Sequence, residues 1–535
     1  MKARRHQLRA TVGLLAALSL LAAACTGTTV TPSGQSPSAG NATFTYSLTS
    51  QVMIGWDPAT GYSNEIIAMN NMYETLTRYN PETKVVDPLL ATSWTSADDG
   101  TKWTFTLRSG VTFHDGKAMT SADVKSSIER TIELNGGASY IWGPVKTIDA
   151  SDPQTVVFHL KYASPLDLVA SADYAAYIYD TSAAGSQDQA KWFEQGHDAG
   201  TGPYTVDQWN KGQETELRLK SFPDYWGGWD GAHYTNAVFR VVPQATTASQ
   251  LLQSGEISMA ERLTPQLWQT FQGQSGFTTT GSTSWQTLLA LLNTKSGPLA
   301  DVRIRQALAS GIDWSGMMTA LHGAAEPLSG LVPPGLWGHV DGLELGYDAQ
   351  KATDLLQQAG YGPGGKPMTL TLTYVQGDAD EQLVSSLIKS DLAKLNVTLN
   401  VRALAWPAQW AMGKSSDLTK RQDIFLFYWW PDYADPYSWF INMFHSEDQP
   451  FFNLSYYANP QLDTTMNKAE SLAASDKTAS EALYAQMQQT LITDMPALSI
   501  YTQVYQRAML SSVTGFTENP AYPNVVFVYD LTPTG

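Results

Sequence analysis

The sequence predicts an α/β protein whose folded body is divided into two or three lobes. Period-two segments such as Thr43–Leu48 and Trp103–Arg108 interleave with stretches of helical spacing such as Asn64–Leu76 and Val124–Ile132. The chain from residue 43 to 535 is longer than the roughly 250 to 300 residues that one hydrophobic core serves. A third observation, treated next, is that the first 42 residues do not belong to that body.

Residues 1–24 read as a signal peptide. Lys2, Arg4, Arg5 and Arg9 precede an apolar run from Val12 to Ala24. That run falls short of the about 20 apolar residues that span a bilayer. It ends Leu21-Ala22-Ala23-Ala24-Cys25, which resembles the lipobox of bacterial lipoproteins with Ala22 where Leu is commonest. The resemblance implies cleavage before Cys25 and acylation of its thiol. The alternative is an ordinary Ala-x-Ala cleavage site. Cys25 is the single cysteine of the chain, so it has no internal disulfide partner and an anchor would account for it. Residues 25–42, rich in Ser, Thr, Gly and Pro, read as a tether. No second long apolar run follows.

The net charge is −17, which disfavours nucleic acid and anionic lipid surfaces, since both need a basic footprint. The chain carries 17 Trp and 25 Tyr, and side chains of that kind suit clefts that are half apolar and half wet.

The body opens with the strand Thr43–Leu48, a turn at Trp56-Asp57-Pro58, and a helix over Asn64–Leu76 carrying Ile66, Ile67, Met69, Met72, Tyr73 and Leu76 at helical spacing. After the Asp-Gly turn at 99–100 comes the strand Trp103–Arg108, then a short strand Val111–Phe113 and a turn at His114-Asp115-Gly116. Thr120 is placed to cap the next helix, with Asp123 in its positively polarised first turn.

This block resembles a known family. Asp87-Pro-Leu-Leu-Ala-Thr-Ser-Trp94, Asp98-Asp-Gly100, Trp103-Thr-Phe-Thr-Leu-Arg-Ser-Gly-Val-Thr-Phe-His-Asp-Gly116 and Thr120-Ser-Ala-Asp-Val124 are similar to the signature region of the dipeptide/oligopeptide-binding proteins of ABC importers, solute-binding protein family 5. Gly200-Thr-Gly-Pro-Tyr204, Trp209, Pro223-Asp-Tyr-Trp-Gly-Gly228, Gln253–Ile257, Asn293-Thr-Lys295, Asp301–Leu308, Ile312-Asp313 and Ala359-Gly-Tyr361 extend the likeness over nearly everything after residue 43. It implies a periplasmic-binding-protein-like fold of type II, enlarged by an inserted third subdomain, with the ligand cleft between lobes. By that analogy lobe I is 43–62, 199–289 and 504–535, the inserted subdomain is 63–198, and lobe II is 290–503.

The stretch Asp423–Trp439 carries the expected site. An apolar run typical of a fully buried strand stops abruptly in two Asp and two Pro residues. Strand ends that open into polar loops are where open α/β sheets present ligands. Trp-Trp-Pro-Asp-Tyr-Ala-Asp-Pro at 429–436 resembles the family motif whose Asp holds a peptide's free α-amino group, and the role falls on Asp432. A turn-capping role after Pro431 is the alternative. The resemblance places Trp429 and Trp406 as flanking aromatics, Tyr433 beside the anchor, and Tyr62 and Ser63 where the peptide backbone pairs by strand addition. The run from Ile424 to Trp430 has no basic residue for a peptide's carboxyl end, a departure from the family that counts against a long peptide with a free carboxylate and leaves dipeptides, capped peptides or apolar peptides open.

The expected partners are a peptide, a membrane ABC permease and, through Cys25, the outer face of the cell membrane. The protein is expected to be a monomer without cofactor or metal. An oligosaccharide binder of the same fold is the closest rival. Nickel, chelate or haem capture is weaker, since the eight histidines are scattered. An enzyme is the least favoured class: Ser386-Leu-Ile-Lys389 matches the Ser-x-x-Lys pattern of penicillin-recognising enzymes, but no Lys-Thr-Gly partner accompanies it.

Overall fold

The computed structural model describes residues 42–50, 55–209 and 215–534. The signal peptide, Cys25 and the tether up to residue 41 lie outside the described residues. No described helix is long and apolar enough to cross a membrane.

The protein has a mixed α/β architecture built around one eleven-stranded sheet. Its strands run in the order Val397–Leu404, Met368–Val375, Ile424–Trp429, Phe277–Leu292, Ala497–Leu510, Met259–Ala260, Thr43–Leu48, Asn236–Val241, Glu216–Ser221 and Tyr204–Trp209, and Ala325–Pro327 also pairs with Ala497–Leu510. Phe277–Leu292 and Ala497–Leu510 are the longest of these and pair antiparallel from Phe277↔Leu510 to Leu291↔Ala497, with an irregularity between Thr283 and Thr287. Near one end Met509 and Ala508 pair with Met259–Ala260, and beyond the irregularity Thr287–Leu292 pair with Trp429–Ile424. Two sets of strands therefore hang from opposite ends of one ribbon.

Sequence pattern follows position along that ribbon. Phe277–Thr283 is partly exposed, whereas Trp285–Leu292 is buried without interruption, because elements cover both of its faces. Leu288, Ala290 and Leu292 pack with Ile304, Leu308, Leu370 and Leu392. Leu289 and Leu291 point the other way, into a core with Phe425, Phe427, Trp439 and Phe440. At about 25 cal/mol per Å² of apolar surface, continuous burial of this kind is the main stabilising term.

A separate antiparallel sheet, ordered Ala91–Ser96, Lys102–Leu107, Thr155–Leu160 and Val145–Asp152, is backed by the helix Ser121–Leu134. The expected cap is present: the Asp123 carboxylate accepts from the Thr120 N–H and hydroxyl, both at 2.8 Å.

Two expected elements differ. The helix expected over 64–76 is only Ile66–Met69. Ile66, Ile67, Met69, Met72, Tyr73 and Leu76 are all buried, so their spacing reflects enclosure on every side rather than a single helical face. Asn71 ends the turn, its amide donating to the Ile67 carbonyl at 3.1 Å and the Val526 carbonyl at 2.9 Å. Val111–Phe113 forms no strand, only a bridge of Thr112 with Ala118 around the His114–Gly116 turn.

Gly200-Thr-Gly-Pro-Tyr204 owes its glycines to close backbone approach. The Gly202 N–H donates to the Met72 carbonyl at 2.9 Å, and the Gly200 carbonyl accepts from the His114 N–H at 2.9 Å. A Cβ on Gly200 would lie 2.0 Å from the Met72 carbonyl oxygen. Backbone cannot yield as a side-chain tip does, so G200A is expected to lower unfolding free energy by about 1–3 kcal/mol. Urea denaturation of both proteins checks this, and coincident midpoints would disprove the constraint.

Candidate functional site

The site begins at the end of the strand Ile424–Trp429. This strand pairs with Thr287–Leu292 on one side and with Leu372–Thr373 on the other, so it is held centrally while its last residue opens into the segment 430–436. The helix Tyr437–Met443 follows, and Asp435 steers the turn into it by accepting from the Tyr437 N–H at 2.8 Å.

Asp432 is 8 % exposed. Its Oδ2 accepts a short hydrogen bond from the Tyr140 hydroxyl, which in turn accepts from Asn442 at 3.0 Å. The Asp432 carbonyl accepts from the Asp173 N–H at 3.0 Å. Tyr140 stands on the 3₁₀ turn Ser139–Trp142, so two residues from the 139–173 stretch meet the strand end. Burial pushes the Asp432 carboxyl up to about 7, against the lowering effect of the Tyr140 bond.

Two residues before Asp432, half-buried Trp430 donates its indole N–H to the Tyr174 hydroxyl at 3.0 Å, and Tyr174 donates to the Ser63 carbonyl at 3.2 Å. The N–H groups of Tyr62 and Ser63 both donate to Glu65 Oε1, at 2.6 and 3.1 Å. Those two donors are thus engaged within the chain. Glu65 is itself buried, which raises its carboxyl to about 7.

An aromatic wall completes the site. Trp429 lies 5.1 Å from Phe452 between ring centroids, Trp410 5.3 Å from Phe452, and Trp406 5.2 Å from Trp410. Tyr62, 40 % exposed, meets Phe451 and Phe452 at 6.5 and 6.3 Å. Trp429 keeps its indole N–H buried without a hydrogen-bond partner among the described residues. The Lys414 ammonium sits 4.1 Å from the Phe451 ring centroid, a cation supplied by the end of the helix Trp406–Gly413 rather than by the apolar strand.

The structure therefore brings Asp432, Trp429, Trp406, Tyr62 and Ser63 to one place. Tyr433 is buried in the core, with Asp435, Tyr140 and Glu470 acting on it electrostatically. Tyr140, Asp173, Tyr174, Trp410, Phe452 and Lys414 were missed by sequence reasoning. The acid at 173 within Ser171-Ala-Asp-Tyr-Ala-Ala176, a run of small apolar residues, was the one available signal. Ser386 and Lys389 both lie exposed on the helix Ala379–Ala393, and the Ser386 hydroxyl donates to the Gln382 carbonyl at 2.8 Å. Among the described residues no group of three or more His, Cys, Asp or Glu is placed to hold a metal.

The raised carboxyl at 432 has a thermodynamic consequence. An unfolded Asp titrates near 3.9, so between about pH 4 and 7 the native state binds more protons than the unfolded state, and stability falls as pH rises. D432N removes that loss. Without ligand, the variant is expected to match the native protein near pH 4 and exceed it by about 1–3 kcal/mol at pH 8. Denaturant unfolding at the two pH values measures this; an equal difference at both would refute it.

Residues 85–451 match the family described as bacterial extracellular solute-binding proteins, family 5 Middle. The chain is 28 % identical over 480 residues to the probable D,D-dipeptide-binding periplasmic protein DdpA of Escherichia coli (strain K12), covering 88 % of this chain and 90 % of that protein. It is 26 % identical over 556 residues to heme-binding protein A of Haemophilus influenzae, covering 96 % and 97 %. Its fold is similar to that of the ABC transporter-associated periplasmic binding protein DppA from Helicobacter pylori in complex with peptide STSA. The TM-score is 0.80 at 23 % identity, covering 92 % of this chain and 98 % of that one. The two-lobed architecture with a ligand cleft is that of these periplasmic binding proteins. With the matched region running from the Val85–Pro88 strand past Asp432 to Phe451, the chain belongs to the bacterial extracellular solute-binding proteins, family 5.

Proposed function

We propose that this protein captures peptides outside the cell for an ABC importer, holding the peptide's α-ammonium at Asp432 as the lobes close and delivering it to a membrane permease. The observation that carries the reading is a carboxylate buried at the end of the central strand with a phenol as its side-chain partner and, among the described residues, no cation acting on it. A buried charge of this kind is costly until a counter-charge joins it. A peptide's ammonium supplies one, and a charge-assisted hydrogen bond contributes about 1.5–3 kcal/mol. The relatives named for peptides support the same ligand class.

Closure follows from the anchor's composition. Asp432 belongs to the segment after the central strand, whereas Tyr140, Tyr174 and Tyr62 come from the first part of the chain, so a ligand touching both favours the closed arrangement by its extra contacts. Asp432, Trp429, Trp406, Tyr433, Tyr62 and Ser63 are the proposed ligand-binding residues, within lobes divided at 62, 198, 289 and 503. The reaction is binding alone, without enzymatic turnover or cofactor, by a monomer exported through its signal peptide and anchored by acylated Cys25 on the outer face of the membrane. The Trp406–Trp410–Phe452–Trp429 wall favours a second reading, an oligosaccharide whose ring faces stack on the indoles.

Native mass spectrometry of residues 26–535 with free-amino and N-acetylated peptides separates the two readings. Retention of free-amino peptides, lost on acetylation and weakened about 10- to 100-fold by D432A, is expected for an ammonium anchor. Hexose-spaced masses, or peptide binding indifferent to D432A, would sink it. C25A is expected to move the protein from the membrane fraction to the medium or periplasm, and unchanged fractionation would refute the anchor.

A further inference from the structure

We propose that Asp173 is a second carboxylate for the ligand's ammonium, so that Asp432 and Asp173 grip one primary ammonium group between them. The inference rests on the peptide-capture reading and assigns a residue that neither the strand-end motif nor its turn contains.

The geometry comes from three observations. Asp173 is fully buried, and among the described residues both of its carboxylate oxygens lack a hydrogen-bond partner. Its main-chain N–H donates to the Asp432 carbonyl at 3.0 Å, which brings the main chains of two acids far apart in sequence into contact, with their carboxyls near enough to repel one another. The Asp173 backbone is pinned, because its own carbonyl accepts from the Tyr177 hydroxyl at 2.7 Å and the Tyr174 hydroxyl is engaged with Trp430 and Ser63. The acid is thus held in position by its main chain while its side chain is left unengaged.

Buried carboxylates are ordinarily satisfied by several donors, and one without any needs an explanation. Electrostatics narrows the explanation to a cation. The charged group acting on Asp173 is Asp432, which is of like sign, and Tyr174, Tyr177 and Tyr522 surround it. Glu65, which acts on Tyr174 and Tyr177, adds a third acid to this neighbourhood. Among the described residues no Lys, Arg or His acts on either Asp432 or Asp173. Burial and this mutual repulsion push the Asp173 carboxyl far above its usual range.

A primary ammonium fits the demand. It carries three donors and no acceptor, enough to engage Asp432 Oδ1 and an oxygen of Asp173 at once. An acylated or tertiary nitrogen lacks those donors. Two carboxylates on one ammonium also make the site more discriminating than one, because the analogue without a charge leaves two buried acids unpaired instead of one.

The test uses the purified chain and a pool of di-, tri- and tetra-alanine of L and D configuration, with affinities read by calorimetry at pH 7.5. D173N is expected to weaken binding about tenfold or more, and D432N/D173N to lose less than the product of the single losses, as two groups sharing one partner must. A crystal structure of the unmutated protein with a bound alanine peptide supplies the readout should D173N not fold. Oxygens of both residues within about 3 Å of the same peptide nitrogen are expected. If D173N binds like the native protein, or both Asp173 oxygens lie beyond about 4 Å from that nitrogen, the paired anchor is overturned while peptide capture at Asp432 stands. If the native protein takes up no peptide from the pool, both readings fall together.

Discussion

The antiparallel pairing of Phe277–Leu292 with Ala497–Leu510 is the constraint on which everything else depends. These strands continue one sheet through the molecule, and their ladder hydrogen bonds hold two otherwise separate sets of strands in register. Because Ile424–Trp429 hydrogen-bonds to the same ribbon, the end of that strand cannot drift relative to the crossing point. Residues 430–436 leave it at a fixed place, against Tyr140, Asp173 and Tyr174 from a distant part of the chain. The irregularity between Thr283 and Thr287, where Ser284 bonds the Gln503 carbonyl and Gln286 bonds Tyr505, falls between the two sets of strands, where a rotation of one against the other would be absorbed.

Electrostatics at the site runs against stability. Asp432, Asp435, Glu65 and Glu470 are each raised to about 7 by burial, and Asp173 goes further. A fold selected only for stability would place apolar residues or paired charges there. The chain instead keeps acids in a half-apolar setting with aromatic walls, where water competes little and the dielectric response is weak. The overall negative charge acts in the same direction at longer range.

Local rules carried the reading of the sequence far in some places and failed in others for identifiable reasons. The Thr120 cap, the strand at 102–107 and the buried strand at 424–429 depend on near neighbours and a single period, so propensity and patterning suffice. The helix at 64–76 failed because an apolar spacing of 3.6 means a helical face only where the other faces meet water, and here they do not. The strand itself carries no basic residue, whereas Lys414 reaches the aromatic wall from the end of a neighbouring helix.

Sequence alone determined the central strand and its acidic end, since those are written in contiguous residues whose chemistry is local: an apolar run, two prolines and two carboxylates; the class of the protein followed from the resemblance carried by residues 87–124. Tertiary structure alone decided which groups face that end. Tyr140 and Asp173 meet Asp432 only because the crossing strands bring two parts of the chain together, and contacts between residues separated by 292 positions leave no periodic trace in either segment. Whether a buried acid is a structural cap or a ligand anchor depends on which donors surround it. Burial and hydrogen bonding belong to the folded arrangement, and no single stretch of sequence contains them.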